Sequence, residues 1–282
     1  SPHGLRLVQG SHIIVPRIYE GDKAFILQND DQRIVFAIPY LDQYTLIGTT
    51  DHEYQGDLDR VNITQPEIDY LLDVYNDHFK HQLTPEDILY TYSGVRSLCD
   101  DESDNPSAIT RDYTLAMSHE QKDDAPLLSV FGGKLTTYRK LAESAVAHLQ
   151  PFFPIMKKPW TEKVLLPGAE NLVSVERLIQ KIMQSIEDAP LQLASRWAHA
   201  YGSRVWKFIN GITAMDELGE DFGHGLFAKE VDYLVDQEWA RTSQDILWRR
   251  TKLRYQFSDD QIQLLDQYLS KLLVKRSQDS AA

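Results

Sequence analysis

The sequence predicts an α+β chain in two parts, a first half built on mixed and antiparallel sheet and a second half that is all helix. Three observations predict this. Between residues 12 and 50, short runs rich in β-branched and aromatic residues follow one another across turns too short for parallel crossovers. Residues 151–167 carry Pro151, Pro154, Pro159 and Pro167, a spacing that no helix continues through. Beyond them, apolar residues recur at helical spacing almost to the end. The expected division is therefore residues 1–150, a linker at 151–167, and a helical domain at 168–282.

The strand runs in the first part are "SHIIVPRIY", "KAFILQN", "RIVFAIPY" and "YTLIGTT", separated by polar turns such as Asn29-Asp30-Asp31. Pro16 and Pro39 mark ends, edges or bulges because proline cannot donate to a ladder. A helix follows from Thr64, which forms a capping box with Glu67, has Pro66 in the first turn, and leads an apolar stripe of Ile68, Leu71, Leu72, Tyr75 and Phe79. "DILYTYSGVRSL" resumes the strand pattern, then come the acidic run "CDDESDNP" and "AITRDYTLAM". In the second part, "VERLIQKIMQSI", "LASRWAHAYG", "EVDYLVDQEWA", "SQDILWRRTKLRY" and "SDDQIQLLDQYLSKLLVKR" read as helices.

Residues 126–150 join the two patterns. The apolar run Leu127, Leu128, Val130 and Phe131 has a strand's length, Gly132 and Gly133 break it, and Leu135, Tyr138, Ala142, Ala145 and Leu149 then recur as a helix face. A strand, glycine turn and helix N-terminus directs unpaired N–H groups at one point, where glycine leaves room for an electron-rich ligand. Lys134 adds a charge, and Thr136 and Thr137 add hydroxyls. An ordinary strand-to-helix connection has the same pattern.

The chain has 282 residues and a formal net charge of −13, which argues against nucleic acid or an anionic surface as the default partner. An anion site must therefore be a local cluster of basic groups. Cys99 is the only cysteine, which excludes a disulfide framework and a thiolate-rich metal site. No apolar stretch approaches the ~18 residues of a membrane span, and no signal peptide opens the chain. A cytoplasmic protein is expected.

Arg96 in "YSGVRSL", Arg111 in "ITRDY" and Lys134 after the glycine pair are candidate anion ligands, because a guanidinium fork matches phosphate or carboxylate bidentately. His12 opens the first strand run and titrates in the range of general acid–base work. Each of these also suits an ordinary surface or structural role. Asp100, Asp101, Glu102 and Asp104 lack the alternation, central glycine and distal glutamate of a calcium loop, so no metal is expected. GxSxG, HExxH, Walker A and GxGxxG motifs are all missing. The stripe Ile262, Leu265, Leu269, Leu272 and Leu273 with Lys271, Lys275 and Arg276 fits either core packing or an interfacial helix of a non-catalytic docking module.

The strings "GSHIIVPR", "IGTTD", "YSGVRSLCDDESDNPSAITRDYTL", "LLSVFGGKLTTYRKLAE" and "LGEDFGHGLFAKEVDYLVDQEWARTSQDILWRRTKL" together resemble the bacterial, aerobic, FAD-dependent glycerol-3-phosphate dehydrogenase family, essentially end to end. The resemblance implies a D-amino-acid-oxidase-like flavin domain followed by an all-helical C-terminal cap. It implies oxidation of sn-glycerol 3-phosphate to dihydroxyacetone phosphate, with hydride passing to FAD and electrons to quinone. By residue-wise transfer, Arg96, Arg111 and Lys134 bind substrate, and Gly132, Gly133, Leu135 and Thr136 hold the flavin's pyrimidine edge. His12, Arg96 and Lys134 are the implied catalytic residues, with Lys134 beside the substrate and flavin and either His12 or a basic neighbour as the base for the C2 hydroxyl proton.

The family's GxGxxG unit has no counterpart after Ser1, so the chain resembles the C-terminal portion of such an enzyme and is expected to be inactive alone. Unpaired sheet edges then invite association, for instance as a homodimer. Peripheral attachment at the inner face of the cytoplasmic membrane follows from the quinone partner. An oxidase that passes electrons to oxygen would share the same pocket residues.

Overall fold

In the computed structural model the chain divides into two compact units, Ser1–Glu162 and Lys163–Ala282. The structure describes residues 5–99, 113–118 and 125–279. The unit boundary falls inside the proline-rich stretch. Thr161 belongs to the first unit, where its hydroxyl donates to Glu143 Oε1 at 2.5 Å.

In the first unit, β1 (Leu5–Pro16), β2 (Phe25–Gln28), β3 (Ile34–Tyr40), β4 (Tyr44–Gly48), β5 (His52–Glu53) and β6 (Tyr90–Cys99) form an antiparallel sheet. Its order is β2-β3-β4-β1, with β6 along one side of β1 and β4 and β5 sharing the other. β1 begins earlier than the sequence pattern suggests, because Gly10 interrupts the run of side chains without interrupting the ladder. Gly10 pairs with Gly94 across β6. β7 (Tyr113–Ser118) and β8 (Leu127–Gly132) make a separate two-stranded sheet.

Strand alternation sends successive side chains to opposite faces. Ile13, Val15, Leu27, Val35, Ala37 and Ile47 form one face and pack on Leu71, Leu72, Val74 and Tyr75 of α1 (Gln65–His78). The stripe read from the sequence is the stripe buried here. α1 starts as its capping box dictates, with Thr64 N donating to Glu67 Oε2 at 2.9 Å.

Glu67 does more than cap the helix. Its buried carboxylate also accepts from Thr50 Oγ1 at 2.6 Å, Ser11 Oγ at 2.8 Å, Gln9 Nε2 at 3.0 Å and Thr64 Oγ1 at 3.0 Å. Burial pushes its pKa up, but the donated hydrogen bonds from Thr50, Thr64 and Ser11 outweigh that and leave it below the usual glutamate value. One carboxylate thus ties α1 to β1 and to the segment after β4.

The stretch after β8 departs from expectation. The helix does not begin at the glycine pair; a 3₁₀ turn, Leu135–Thr137, intervenes, and α2 runs Tyr138–Leu149. The expected apolar stripe is not packed away, for Leu135 is 89% exposed and no residue of α2 is fully buried. The better-packed side is polar, where Arg139, Glu143 and Thr161 are joined by hydrogen bonds.

The second unit is helical, with α3 (Val175–Ser185), α4 (Leu191–Tyr201), α5 (Trp206–Ile209), α6 (Ala228–Glu238) and α7 (Asp259–Asp279) around one core. At its centre Glu230 is 0% exposed. Arg196 clamps it bidentately at 2.6 and 2.7 Å, Trp197 Nε1 donates at 2.8 Å and Tyr201 OH at 2.5 Å.

Leu265, Leu269 and Leu272 of α7 are buried in this core, with Ile262 and Leu273 packed against it. The apolar stripe offered as an interfacial helix is therefore used inside its own unit. "SQDILWRRTKLRY" is not one regular helix either. Asp245–Arg250 is a π-helical turn, and both the N–H and the hydroxyl of Thr251 bond Ile246 O at 2.9 Å. Lys252, at φ 60°, then ends it.

Glu67→Ala should destabilise the first unit by about 2–4 kcal/mol, because it strands buried donors on β1, on Thr50 after β4 and at a helix cap. Urea unfolding followed by tyrosine fluorescence and circular dichroism checks this. A loss under about 0.5 kcal/mol, the range of a neutral surface change, would contradict it.

Candidate active site

The sheet's other face carries the site. Ladder register sets Ile26, Phe36, Gly48, His12 and Tyr92 opposite one another in a single row across five strands. Ile26 and Phe36 are exposed there. The centre of the row is low because Gly48 has no side chain. A Cβ on Gly48 would run into the His12 ring, so only glycine lets the imidazole lie across β4.

The imidazole of His12 is stacked on Tyr92, with centroids 4.8 Å apart and planes 8° from parallel. Its Nδ1 is buried and has no hydrogen-bond partner among the described residues. Burial, and then the positive charge of Arg96, lower its pKa from 6.5 to about 4. At neutral pH it is an uncharged imidazole with an unused nitrogen, a form that can accept a proton.

Arg96 lies on the same face, in the row beyond Gly10 and Gly94. A Cβ on Gly10 would come within 2.5 Å of Arg96 Nη2, so the guanidinium lies down on bare backbone. Space above Gly94 is open. Arg96 Nη1 donates to Asp51 Oδ1 at 2.6 Å and Nη2 to Thr49 Oγ1 at 3.2 Å.

The glycine turn belongs to the hairpin of β7 and β8, and β8 neighbours β6. Gly132 and Gly133 have φ of 70° and 107°, which L side chains rarely adopt. Lys134 leads the 3₁₀ turn, so the N–H groups of Leu135 and Thr136 have no acceptor within it. Lys134 is exposed and has no ion-pair partner among the described residues. No hydrogen bond or ion pair links it to His12 or Arg96.

The structure therefore brings His12 and Arg96 together and carries Gly132, Gly133, Lys134, Leu135 and Thr136 on a separate turn. Arg111 and the acidic run of Asp100, Asp101, Glu102 and Asp104 lie outside the described residues. Tyr92, Asp51, Thr49, Gly10 and Gly48 were not singled out from the sequence as site residues. Their one signal was isolated glycines within strand patterns, which mark close approach of a neighbour.

A folded imidazole titrating near pH 4 binds its proton later than the unfolded chain, whose value is 6.5. Stability should thus fall as pH drops from 6.5 toward 4 and be indifferent to His12 above that window. His12→Asn should lose less stability than the wild type between pH 7 and 4.5 in denaturant titrations. Equal losses would mean that His12 is not held neutral by the fold.

Residues 2–139 match the family model described as FAD dependent oxidoreductase, and residues 159–275 match the C-terminal domain of alpha-glycerophosphate oxidase. A glycerol-3-phosphate dehydrogenase of Pseudomonas aeruginosa is 58% identical over 95% of this chain and 52% of its own length. The aerobic glycerol-3-phosphate dehydrogenase of Escherichia coli is 49% identical over 98% of this chain and 55% of its own length. Among solved structures, the glycerol-3-phosphate dehydrogenase of Bacillus halodurans complexed with FAD superposes with a TM-score of 0.70 at 26% identity, over 99% of this chain and 54% of that one. The chain spans about half the length of the curated relatives it matches. An antiparallel sheet with one helix-packed and one open face, an all-helical second unit, and these matches over both place the chain in the family of FAD-dependent glycerol-3-phosphate dehydrogenases.

Proposed function

We propose that this chain forms the substrate side of a flavoenzyme that oxidises sn-glycerol 3-phosphate to dihydroxyacetone phosphate. The observation that carries the reading is the buried, unpartnered Nδ1 of a neutral His12 beside Arg96 on an open sheet face floored by Gly10, Gly48 and Gly94. A flat group can approach such a floor, and the residues present fit a flavin ring. Gly132, Gly133, Leu135 and Thr136 would hold its electron-rich edge, because turn N–H groups stabilise negative charge there. When bound, FAD supplies the acceptor for the hydrogen that leaves C2 with its electron pair.

His12 takes the C2 hydroxyl proton as the carbonyl forms. A base with pKa near 4 is weak but is unprotonated throughout the physiological range. Arg96, Arg111 and Lys134 bind the phosphate and hydroxyls, the local basic cluster that an acidic chain needs for an anionic substrate.

Electrons pass on to quinone, with the protein lying peripherally on the inner face of the cytoplasmic membrane. Among the described residues no helix is long and apolar enough to cross a membrane. Oxygen is the competing acceptor, favoured by the match of residues 159–275 to the C-terminal domain of an alpha-glycerophosphate oxidase. Reoxidation of the reduced full-length enzyme by oxygen against a quinone analogue separates the two.

The 282-residue chain alone should neither retain flavin nor turn over substrate. Visible absorbance during titration with FAD tests the first half, and saturable binding would overturn it. In the full-length enzyme, His12→Ala should lower kcat roughly a hundredfold or more. Near-normal turnover across the pH range would remove it as the base. Arg111→Ala should weaken substrate binding by about 1.5–3 kcal/mol, and an unchanged affinity would take it out of the site.

A further inference from the structure

The segment Thr49-Thr50-Asp51 alternates between the two sheet faces. Thr50 reaches the helix face, where it donates to buried Glu67 and accepts from Ser11 N at 2.9 Å. Thr49 and Asp51 reach the open face and take one donor each from Arg96. Asp51 is the less exposed partner, at 14% for its side chain against 30% for Arg96. Thr49 Oγ1 is itself oriented by donating to Thr50 O at 3.1 Å, which leaves a lone pair for the guanidinium.

A long arginine side chain loses considerable freedom when it must meet a ligand in one pose. Here that freedom is removed before any ligand arrives. Gly10 lets the fork lie on β1, and Asp51 and Thr49 fix two of its donors, while its other N–H groups have no hydrogen-bond partner among the described residues.

We propose that Asp51, with Thr49, is the positioning residue for Arg96 in the substrate site, holding the guanidinium in its binding pose over Gly10. This rests on the assignment of Arg96 to that site made above. Asp51 touches no reacting atom in this scheme; it acts through Arg96 alone. Orientation of the fork needs an acceptor at the position of Oδ1 rather than a charge, so an amide there serves nearly as well as a carboxylate.

The test is a double-mutant cycle in the full-length enzyme, with flavin content read by visible absorbance to confirm that each variant is assembled. Asp51→Ala should raise KM for sn-glycerol 3-phosphate about tenfold and lower kcat by less than about threefold, the loss of one charge-assisted contact's worth of orientation. Asp51→Asn should recover most of that loss, and Asp51→Ala should add nothing to Arg96→Ala. Thr49→Val, which keeps shape and removes the acceptor, should raise KM in the same direction if Asp51→Ala does not assemble. If Arg96→Ala raises KM while Asp51→Ala and Thr49→Val leave it within about twofold, the positioning role is wrong and the site assignment stands. If Arg96→Ala leaves KM unchanged, the site assignment falls first. Equal effects of Asp51→Ala with and without Arg96 would also overturn the proposal.

Discussion

The buried carboxylate of Glu67 is the constraint on which the first unit depends. It closes the capping box of α1, and it accepts from Gln9 and Ser11 of β1 and from Thr50 after β4. A buried charge of this kind is tolerable only when donors surround it, and removing them or it leaves uncompensated polar groups in the core. Its position therefore fixes the helix on one sheet face and fixes Thr50. Because neighbouring residues in extended backbone point to opposite faces, fixing Thr50 inward fixes Thr49 and Asp51 outward, where they hold Arg96.

The same alternation separates the two tasks of the sheet. Ile13, Val15, Val35, Ala37 and Ile47 bury one face under α1. His12, Gly48, Tyr92, Gly10 and Gly94 leave the other face low and open. A single-residue slip in β1 would exchange the two sets, so burial of the isoleucines is also what aims His12. Packing energy on one side thus secures chemistry on the other.

Charge follows a comparable logic. The chain has a net charge of −13, and two of its ion pairs, Arg96 with Asp51 and Arg196 with Glu230, are close and partly or fully buried. The second pair sits at the heart of the helical unit, where Trp197 and Tyr201 complete the coordination of Glu230 and burial raises the pKa of Tyr201 well above its usual value. It organises a core and offers nothing outward. The first pair is partly exposed, and the other donors of Arg96 have no hydrogen-bond partner among the described residues, which is the difference between a structural clamp and a binding one.

Local chemistry determined much of this protein from sequence alone. The capping box of Thr64 and Glu67, the strands up to Gly48, the stripe of α1 and the all-helical second unit were legible because each is set by periodicity and neighbours within a few residues. His12 and Arg96 were legible as candidates by residue type and by resemblance to a known family. Only the tertiary structure decided that these two share a face, since their meeting depends on β1 pairing with β6 across more than eighty intervening positions, a register fixed by core burial. It also decided against a helix starting at Gly133 and against an outward-facing stripe on α7, because a 3₁₀ turn and the helical core claimed those residues instead. Asp51, Thr49 and Tyr92 lay within strings that carried the family resemblance but were not legible as site residues, for their roles consist of contacts made across the sheet.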